Sequence, residues 1–288
     1  MENINNKNLI ETINISHLII IDALSEKDLQ TGRLLKEDLL HIFEVKHIKV
    51  NNEKELDNCL LEIESSFRDD NFLPILHFEG HGDEKHFSFP DNSHKEWGKL
   101  AKCISYLNKL CNNNLLVFIA SCHGIRFIHS STHKSHLNHF APCNTAIGPT
   151  EAINTVDLLN STTLFYKKLF EKNDIDLAIS CLPEKSFEVF KSRQIFIVLM
   201  INIYKKFFMG KGKHQRHEEM LTEINNSDTF PAFESITSAR KLVKENVSTP
   251  TEFEHILDKY GKSYLGPNYS KEKMMLFNEI NLLRSNTK

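Results

Sequence analysis

The sequence predicts an α/β protein with a mainly parallel β-sheet, helices on both faces of that sheet, and a helical C-terminal extension. Short apolar runs typical of buried strands recur along the chain, and amphipathic segments with helical spacing separate them. The intervening segments are long enough for right-handed crossovers between parallel strands. Beyond residue 180 the strand pattern weakens and helical patterns predominate.

The predicted strands are apolar and end in polar residues or turns. Four are clear and two are weaker: residues 17–23, 47–50, 72–78 and 115–120, then 144–147 and 187–190. Pro74 is unfavourable inside a central strand because it lacks an N–H group, so we expect it at the entry to its strand.

The predicted helices carry apolar residues three and four positions apart. They cover residues 29–43, 52–67, 95–110, 156–170, 233–247 and 270–284, whereas residues 83–94 are expected to form a loop. The apolar segment 193–208 fits either a strand or a buried helix. We predict a first domain at residues 1–210, followed by a helical region, 211–288, that completes it or is appended to it.

Composition restricts the classes of function. The 288 residues include 40% apolar and 25% charged side chains, with a net charge of −3, so neither nucleic acid nor an anionic membrane is an expected partner. The N-terminus lacks the pattern of a secretory signal, and no apolar run approaches the roughly 20 residues of a membrane span. Six cysteines without C-x-x-C spacing indicate reduced thiols and a cytoplasmic location.

Two predicted strands end in a reactive side chain next to glycine. One runs into Gly80-His81-Gly82 and the other into Ser121-Cys122-His123-Gly124. In a parallel sheet, working residues gather where the strands end, so His81 and Cys122 are expected to face each other. An imidazole can take the proton of a thiol, stabilise the attacking thiolate and then protonate a leaving amine.

Backbone N–H groups after the two strands are candidates for stabilising a developing oxyanion. The candidate donors are those of Gly82, Cys122 and His123, with Gly82 and His123 taken as the oxyanion residues. The glycine beside each reactive residue would let a substrate backbone approach closely.

The two motifs resemble those of caspase-like (clan CD) cysteine peptidases. Residues 75–82, ILHFEGHG, are similar to the His-Gly motif, especially in its CHAT-domain form, and residues 117–124, VFIASCHG, resemble the catalytic-cysteine strand, with Ser-Cys-His closest to metacaspases. The order of the two motifs also matches. The resemblance covers residues 15–180 and implies a caspase-like fold.

The resemblance further implies a cysteine endopeptidase without a cofactor, in which Cys122 is the nucleophile and His81 the general acid and base. Gly82 would contribute to the oxyanion site. The expected partners are a protein substrate and an activating protein. CHAT-like proteins often act in bacterial (including antiviral) defence or regulated cell death, so we expect a role of that kind.

Asp22 and Glu151 are candidate substrate-binding residues, since either carboxylate could pair with a basic substrate side chain. Metacaspases that cleave after Arg or Lys carry an acid two positions before the cysteine, where this chain has Ala120. A basic preference is favoured, although Arg126 near Cys122 would favour an acidic substrate instead.

Two alternative functions remain at this point. A caspase-like chain could be a catalytically silent scaffold or binding module, although its intact Cys-His pair favours an enzyme. The second alternative is a zinc-dependent hydrolase built on the histidine run His129, His133, His136 and His139, joined by Cys122 or Cys143. That run lacks the close cysteine pairs of common zinc sites, and the expectation is that the site holds no metal.

Overall fold

The computed structural model describes residues 15–67, 72–131, 136–226 and 235–285, without the side chains of residues 131 and 136. The chain divides into two compact units. The first runs to Ser192, and the second comprises Leu137–His139 and the residues from Arg193 onward. The domain boundary predicted after residue 210 therefore lies inside the second unit.

The strands and helices alternate in the first unit. The strands of the described residues are β1 (His17–Asp22), β2 (Val45–Lys49), β3 (Pro74–Glu79), β4 (His81–Gly82), β5 (His86–Ser88), β6 (His94–Glu96), β7 (Leu116–Ala120), β8 (Thr145–Pro149) and β9 (Phe187–Lys191). The helices of the first unit are α1 (Thr31–Leu39), α2 (Glu53–Ser66), α3 (Trp97–Leu110), α4 (Arg126–Ser131), α5 (Thr155–Lys172) and α6 (Ile175–Ile179).

A six-stranded sheet with the order β2-β1-β3-β7-β8-β9 forms the centre of the first unit. The first five strands in this order are parallel, and β9 runs antiparallel to β8. The predicted mainly parallel sheet is confirmed, and both weaker strands are present. Pro74 is the first residue of β3, as expected from its missing N–H group.

Alternation along the strands divides the core between the two faces of the sheet. Ile19, Leu76 and Val117 face a cluster that includes residues of α2 and α3. Their neighbours Ile75 and Phe118 face a second cluster that includes residues of α1 and α5. Helices therefore cover both faces, as predicted.

Residues 83–94 are not the loop that we predicted. With their flanks they form a small antiparallel sheet of the order β4-β5-β6. Phe87 packs inward on this sheet and is fully buried, while Lys95 is buried against Glu53 and Asp57. Strands of two or three residues, mostly polar on the outer side, are too short to give a recognisable alternation.

The second unit is helical, as predicted for the C-terminal region. It contains α7 (Ser192–Phe208), α8 (Gly210–Asn225), α9 (Ile236–Asn246), α10 (Pro250–Tyr264) and α11 (Ser270–Ser285), after a 3-10 turn at His136–Asn138. The segment 193–208 is thus a helix, and α10 was not predicted although Thr249 caps it and Pro250 occupies its first turn. None of the described helices is long and apolar enough to cross a membrane.

A chain of buried polar side chains links β3 to α1 and α5. His77 Nε2 lies 2.9 Å from Glu79 Oε1, His77 Nδ1 lies 3.0 Å from the Tyr166 hydroxyl, and the Thr31 hydroxyl donates to Glu79 Oε2 at 2.7 Å. A carboxylate only accepts, so Nε2–H donates to Glu79 and Nδ1 accepts from Tyr166. Burial raises the pKa of Tyr166 well above its usual value, which keeps the phenol protonated as the donor.

We predict that Tyr166→Phe lowers the free energy of unfolding by about 1–3 kcal/mol, because it leaves a buried imidazole nitrogen without a hydrogen bond. Urea unfolding measures this change. Tyr106→Phe is the matched control, since its hydroxyl bonds to Glu64 at the exposed surface and should contribute less than about 0.5 kcal/mol. Equal losses in the two variants would contradict the role of the buried network.

Candidate active site

The two chemical motifs leave the sheet side by side. β3 and β7 are adjacent and parallel, and their last register pair is Glu79 with Ala120. The chain therefore enters Gly80-His81-Gly82 and Ser121-Cys122-His123 at the same level of the sheet. The prediction that these two strand ends are neighbours is confirmed.

Cys122 lies in a tight turn between β7 and α4. The Gly124 N–H donates to the Ser121 carbonyl at 3.0 Å, and the Ile125 N–H donates to the Pro149 carbonyl at 3.2 Å. The second bond ties the turn to the end of β8. Cys122 remains partly exposed in this turn, so a substrate could reach its thiol.

Four of the other five cysteines have the character of structural thiols. Burial raises the pKa of Cys59 and of Cys111 to about 11, and it also raises the pKa of Cys103 and Cys143. A thiol that stays protonated is a poor nucleophile. These four side chains are therefore poor candidates for catalysis at neutral pH.

His123 adopts a left-handed backbone conformation with φ of 58°. Its N–H donates to the Glu151 carbonyl at 3.3 Å, so the predicted oxyanion role would require this bond to open. Its ring Nδ1 is buried and has no hydrogen-bond partner among the described residues. His123 thus forms part of the turn beside Cys122, and its oxyanion role stays a prediction.

Gly82 packs directly against the cysteine turn. A Cβ atom at this position would lie 2.7 Å from the Cys122 carbonyl oxygen and 2.9 Å from Trp97 Cζ2, and it would also meet the Ser121 hydroxyl. Asp83 N–H donates to His86 O at 3.0 Å, and bonded and non-bonded pairs alternate along an antiparallel ladder. The Gly82 N–H therefore does not bond to β5, and its oxyanion role stays a prediction.

His81 is mostly exposed, and its Nε2 lies 3.2 Å from Asp28 Oδ2. Sequence reasoning missed Asp28, because 53 residues separate it from His81 and nothing in either motif points to it. One signal was present. Asp28 follows β1, and the rule that working residues gather at strand ends applies to β1 as well as to β3 and β7.

Asp22 does not face a substrate site in this conformation. It is completely buried, with His47 Nε2 2.8 Å and Lys49 Nζ 3.3 Å from its carboxylate oxygens, and Leu24 N–H donating at 2.9 Å. Burial, the largest influence, raises its pKa, but the bond to His47, the bond from Leu24 and the charge of Lys49 together lower it. This network favours a structural role over the predicted substrate-binding role.

Glu151 is exposed and lies just beyond β8, where its carbonyl accepts from His123. Of the two predicted substrate-binding acids, it is therefore the one placed beside the cysteine turn with its side chain accessible. Arg126 begins α4 and is partly exposed, so its guanidinium is accessible to an acidic substrate side chain.

The histidine run does not form a metal site within the described residues. No group of three or more His, Cys, Asp or Glu residues in the described ranges could hold a metal ion. His129 pairs instead with Glu188 at 3.0 Å, and His139 is exposed. His133 and the side chain of His136 lie outside the described residues.

Comparison with known proteins gives no further assignment. No family model matches the chain, and no curated protein matches it in sequence.

We predict that Gly82→Ala lowers the free energy of unfolding by about 1–3 kcal/mol, because the cysteine turn must move to admit the methyl group. Gly98→Ala is the matched control. Its Cβ would meet nothing closer than 3.7 Å, and it lies in α3, so it should be neutral or stabilising by up to about 1 kcal/mol. Urea unfolding of both variants measures these changes. A neutral effect of Gly82→Ala would contradict the close packing of Gly82 against the cysteine turn.

The Asp22 network predicts a pH-dependent contribution to stability. Because folding lowers the pKa of Asp22 below its usual 3.8, its contribution is present above that pH and is lost as the pH falls through the folded value. Asp22→Asn should therefore be less stable than wild type near pH 7, by about 2 kcal/mol, and lose stability less steeply in acid. The check is urea unfolding from pH 7 to pH 3, with exposed Asp38→Asn as control; an unchanged acid slope in Asp22→Asn would contradict it.

Proposed function

We propose that this chain is a caspase-like cysteine endopeptidase in which Cys122 is the nucleophile and His81 the acid and base. One observation carries the proposal: the two motifs leave adjacent parallel strands at the same level, from the paired residues Glu79 and Ala120. The partial exposure of Cys122 and the exposure of His81 support it, because both groups are accessible to a bound peptide.

The proposed reaction is hydrolysis of a peptide bond through an acyl-enzyme. His81 takes the proton of the Cys122 thiol, and the thiolate sulfur attacks the carbonyl carbon. The backbone N–H of Gly82 is a candidate donor to the oxyanion. His81 then protonates the leaving amine, and water hydrolyses the thioester in a second step.

The preferred substrate is a protein with a basic side chain before the cleaved bond. The exposed carboxylate of Glu151 beside the cysteine turn supports this preference. The proposed setting is a cytoplasmic effector in defence or regulated cell death, controlled by an activating protein. The six unpaired cysteines agree with a cytoplasmic location.

A peptide library that varies the side chain before the cleaved bond tests the proposal. Cys122→Ala should reduce kcat/KM more than about a thousandfold, and His81→Ala should reduce it by about a hundredfold or more, with no effect of a chelator. Peptides with Lys or Arg before the bond should be cleaved fastest. Cys181→Ala, which removes another partly exposed thiol, should leave the rate unchanged.

Two results would contradict the proposal. Cleavage that survives Cys122→Ala would exclude Cys122 as the nucleophile, and cleavage that a chelator abolishes would favour a metal-dependent hydrolase. If neither wild type nor variant cleaves any peptide, even with cell extract added as a source of the activating protein, the scaffold alternative is favoured.

A further inference from the structure

The loop after β1 lies next to the loop that carries His81. Asp22 pairs with Glu79 in the parallel register, and the Ala23 N–H donates to the Glu79 carbonyl at 2.8 Å. A Cβ atom on Gly80 would lie 3.3 Å from Ala23 Cβ. Residues of this loop are therefore close enough to contact the imidazole of His81.

Hydrogen bonds from its own loop hold the carboxylate of Asp28 in place, independently of the contact with His81. Its Oδ2 accepts from both the backbone N–H and the hydroxyl of Ser25, each at 2.8 Å. Gln30 Nε2 donates to the Ser25 carbonyl at 2.7 Å and to the Asp28 carbonyl at 3.0 Å. Lys49 Nζ donates to Gln30 Oε1 at 2.9 Å and so anchors the loop to β2.

The Asp28–His81 contact favours one tautomer of the imidazole. Burial, the largest influence, raises the pKa of Asp28, but the bonds from Ser25 and His81 outweigh it and lower this pKa, so the carboxylate is ionised at neutral pH. An ionised carboxylate accepts and does not donate, so a proton on His81 Nε2, the nitrogen 3.2 Å from Asp28 Oδ2, is favoured over one on Nδ1. Nδ1, which has no partner among the described residues, is then left with its lone pair.

We propose that Asp28 is the positioning residue of the site: it orients His81 and fixes Nδ1 as the nitrogen that exchanges protons with Cys122. This inference rests on the proposed function. The thiol proton of Cys122 moves to Nδ1 while Nε2–H stays on Asp28, and the resulting imidazolium is stabilised by the carboxylate. The Nδ1 proton is later transferred to the leaving amine, so the imidazole returns to its starting tautomer.

A structural role alone does not account for this contact. The His81 side chain is 66% exposed and Asp28 is 29% exposed, and ion pairs at such sites contribute little to stability because solvent screens them. Removing the Asp28 carboxylate should thus leave the fold intact. Because the Asp28 carboxylate also accepts two bonds from Ser25, Asp28→Asn, whose amide oxygen can keep an acceptor there, separates a change of the loop from a change in the orientation and charge of His81.

The test is the rate at which iodoacetamide alkylates Cys122 near pH 7, followed by mass spectrometry of the peptide that contains this residue. This readout needs no substrate. His81→Ala should slow alkylation, and Asp28→Ala should slow it by roughly three- to tenfold. Asp28→Asn should fall between wild type and Asp28→Ala, since an amide oxygen can still accept from Nε2–H. Glu26→Gln removes an exposed acid of the same loop and should have no effect.

The tautomer itself is measured by ¹⁵N NMR of His81 at a pH where the ring is neutral. Wild type should show a protonated Nε2, and Asp28→Ala should show a mixture of both tautomers. If His81→Ala slows alkylation but Asp28→Ala does not, the role of Asp28 is refuted while the Cys-His pair stands. If His81→Ala has no effect, the proposed dyad fails, and the inference fails with it.

Discussion

The parallel pairing of β3 with β7 determines which side chains lie next to each other where these two strands end. Five consecutive register pairs, from Ile75 with Leu116 to Glu79 with Ala120, align these strands between two layers of helices. A shift of one residue would turn each side chain of a strand to the opposite face and so exchange the residues of the two buried clusters, which are packed against different helices. The same register brings a histidine loop and a cysteine loop to one level. The candidate active site is thus a consequence of how the core is packed.

Two buried acids, Glu79 and Asp22, lie directly beneath this edge, and both are paired. Glu79 bonds to His77 and Thr31, and Asp22 bonds to His47, Lys49 and a backbone N–H. Breaking such pairs is costly, so they hold the ends of β1 and β3 rigidly. Asp28 lies six residues beyond the end of β1. Its carboxylate is partly exposed and contacts His81. Glu79 and Asp22 are therefore buried acids with structural contacts, whereas the carboxylate of Asp28 is accessible from solvent.

Much of this architecture could be predicted from the sequence, because it depends on repeated local patterns. Buried parallel strands read as apolar runs, and the strand-end rule located His81 and Cys122 without any contact information. The small sheet from β4 to β6 could not be predicted in this way, since its longest strands have three residues. The burial of Asp22 and the contact between Asp28 and His81 depend on distances between loops that the sequence does not encode locally. The hydrogen bond from the His123 N–H to the Glu151 carbonyl also joins two loops, so it too could not be predicted from the local sequence.

The central claim is that Cys122 and His81 act together on a peptide carbonyl, and covalent trapping tests it most directly. The protein would be treated with a mixture of peptidyl acyloxymethyl ketones that differ in the residue next to the ketone, and the modified peptide would be identified by mass spectrometry. We predict a single adduct on Cys122 that forms far more slowly in His81→Ala. Labelling that spreads to Cys103 and Cys181 at similar rates, or that does not depend on His81, would contradict the account.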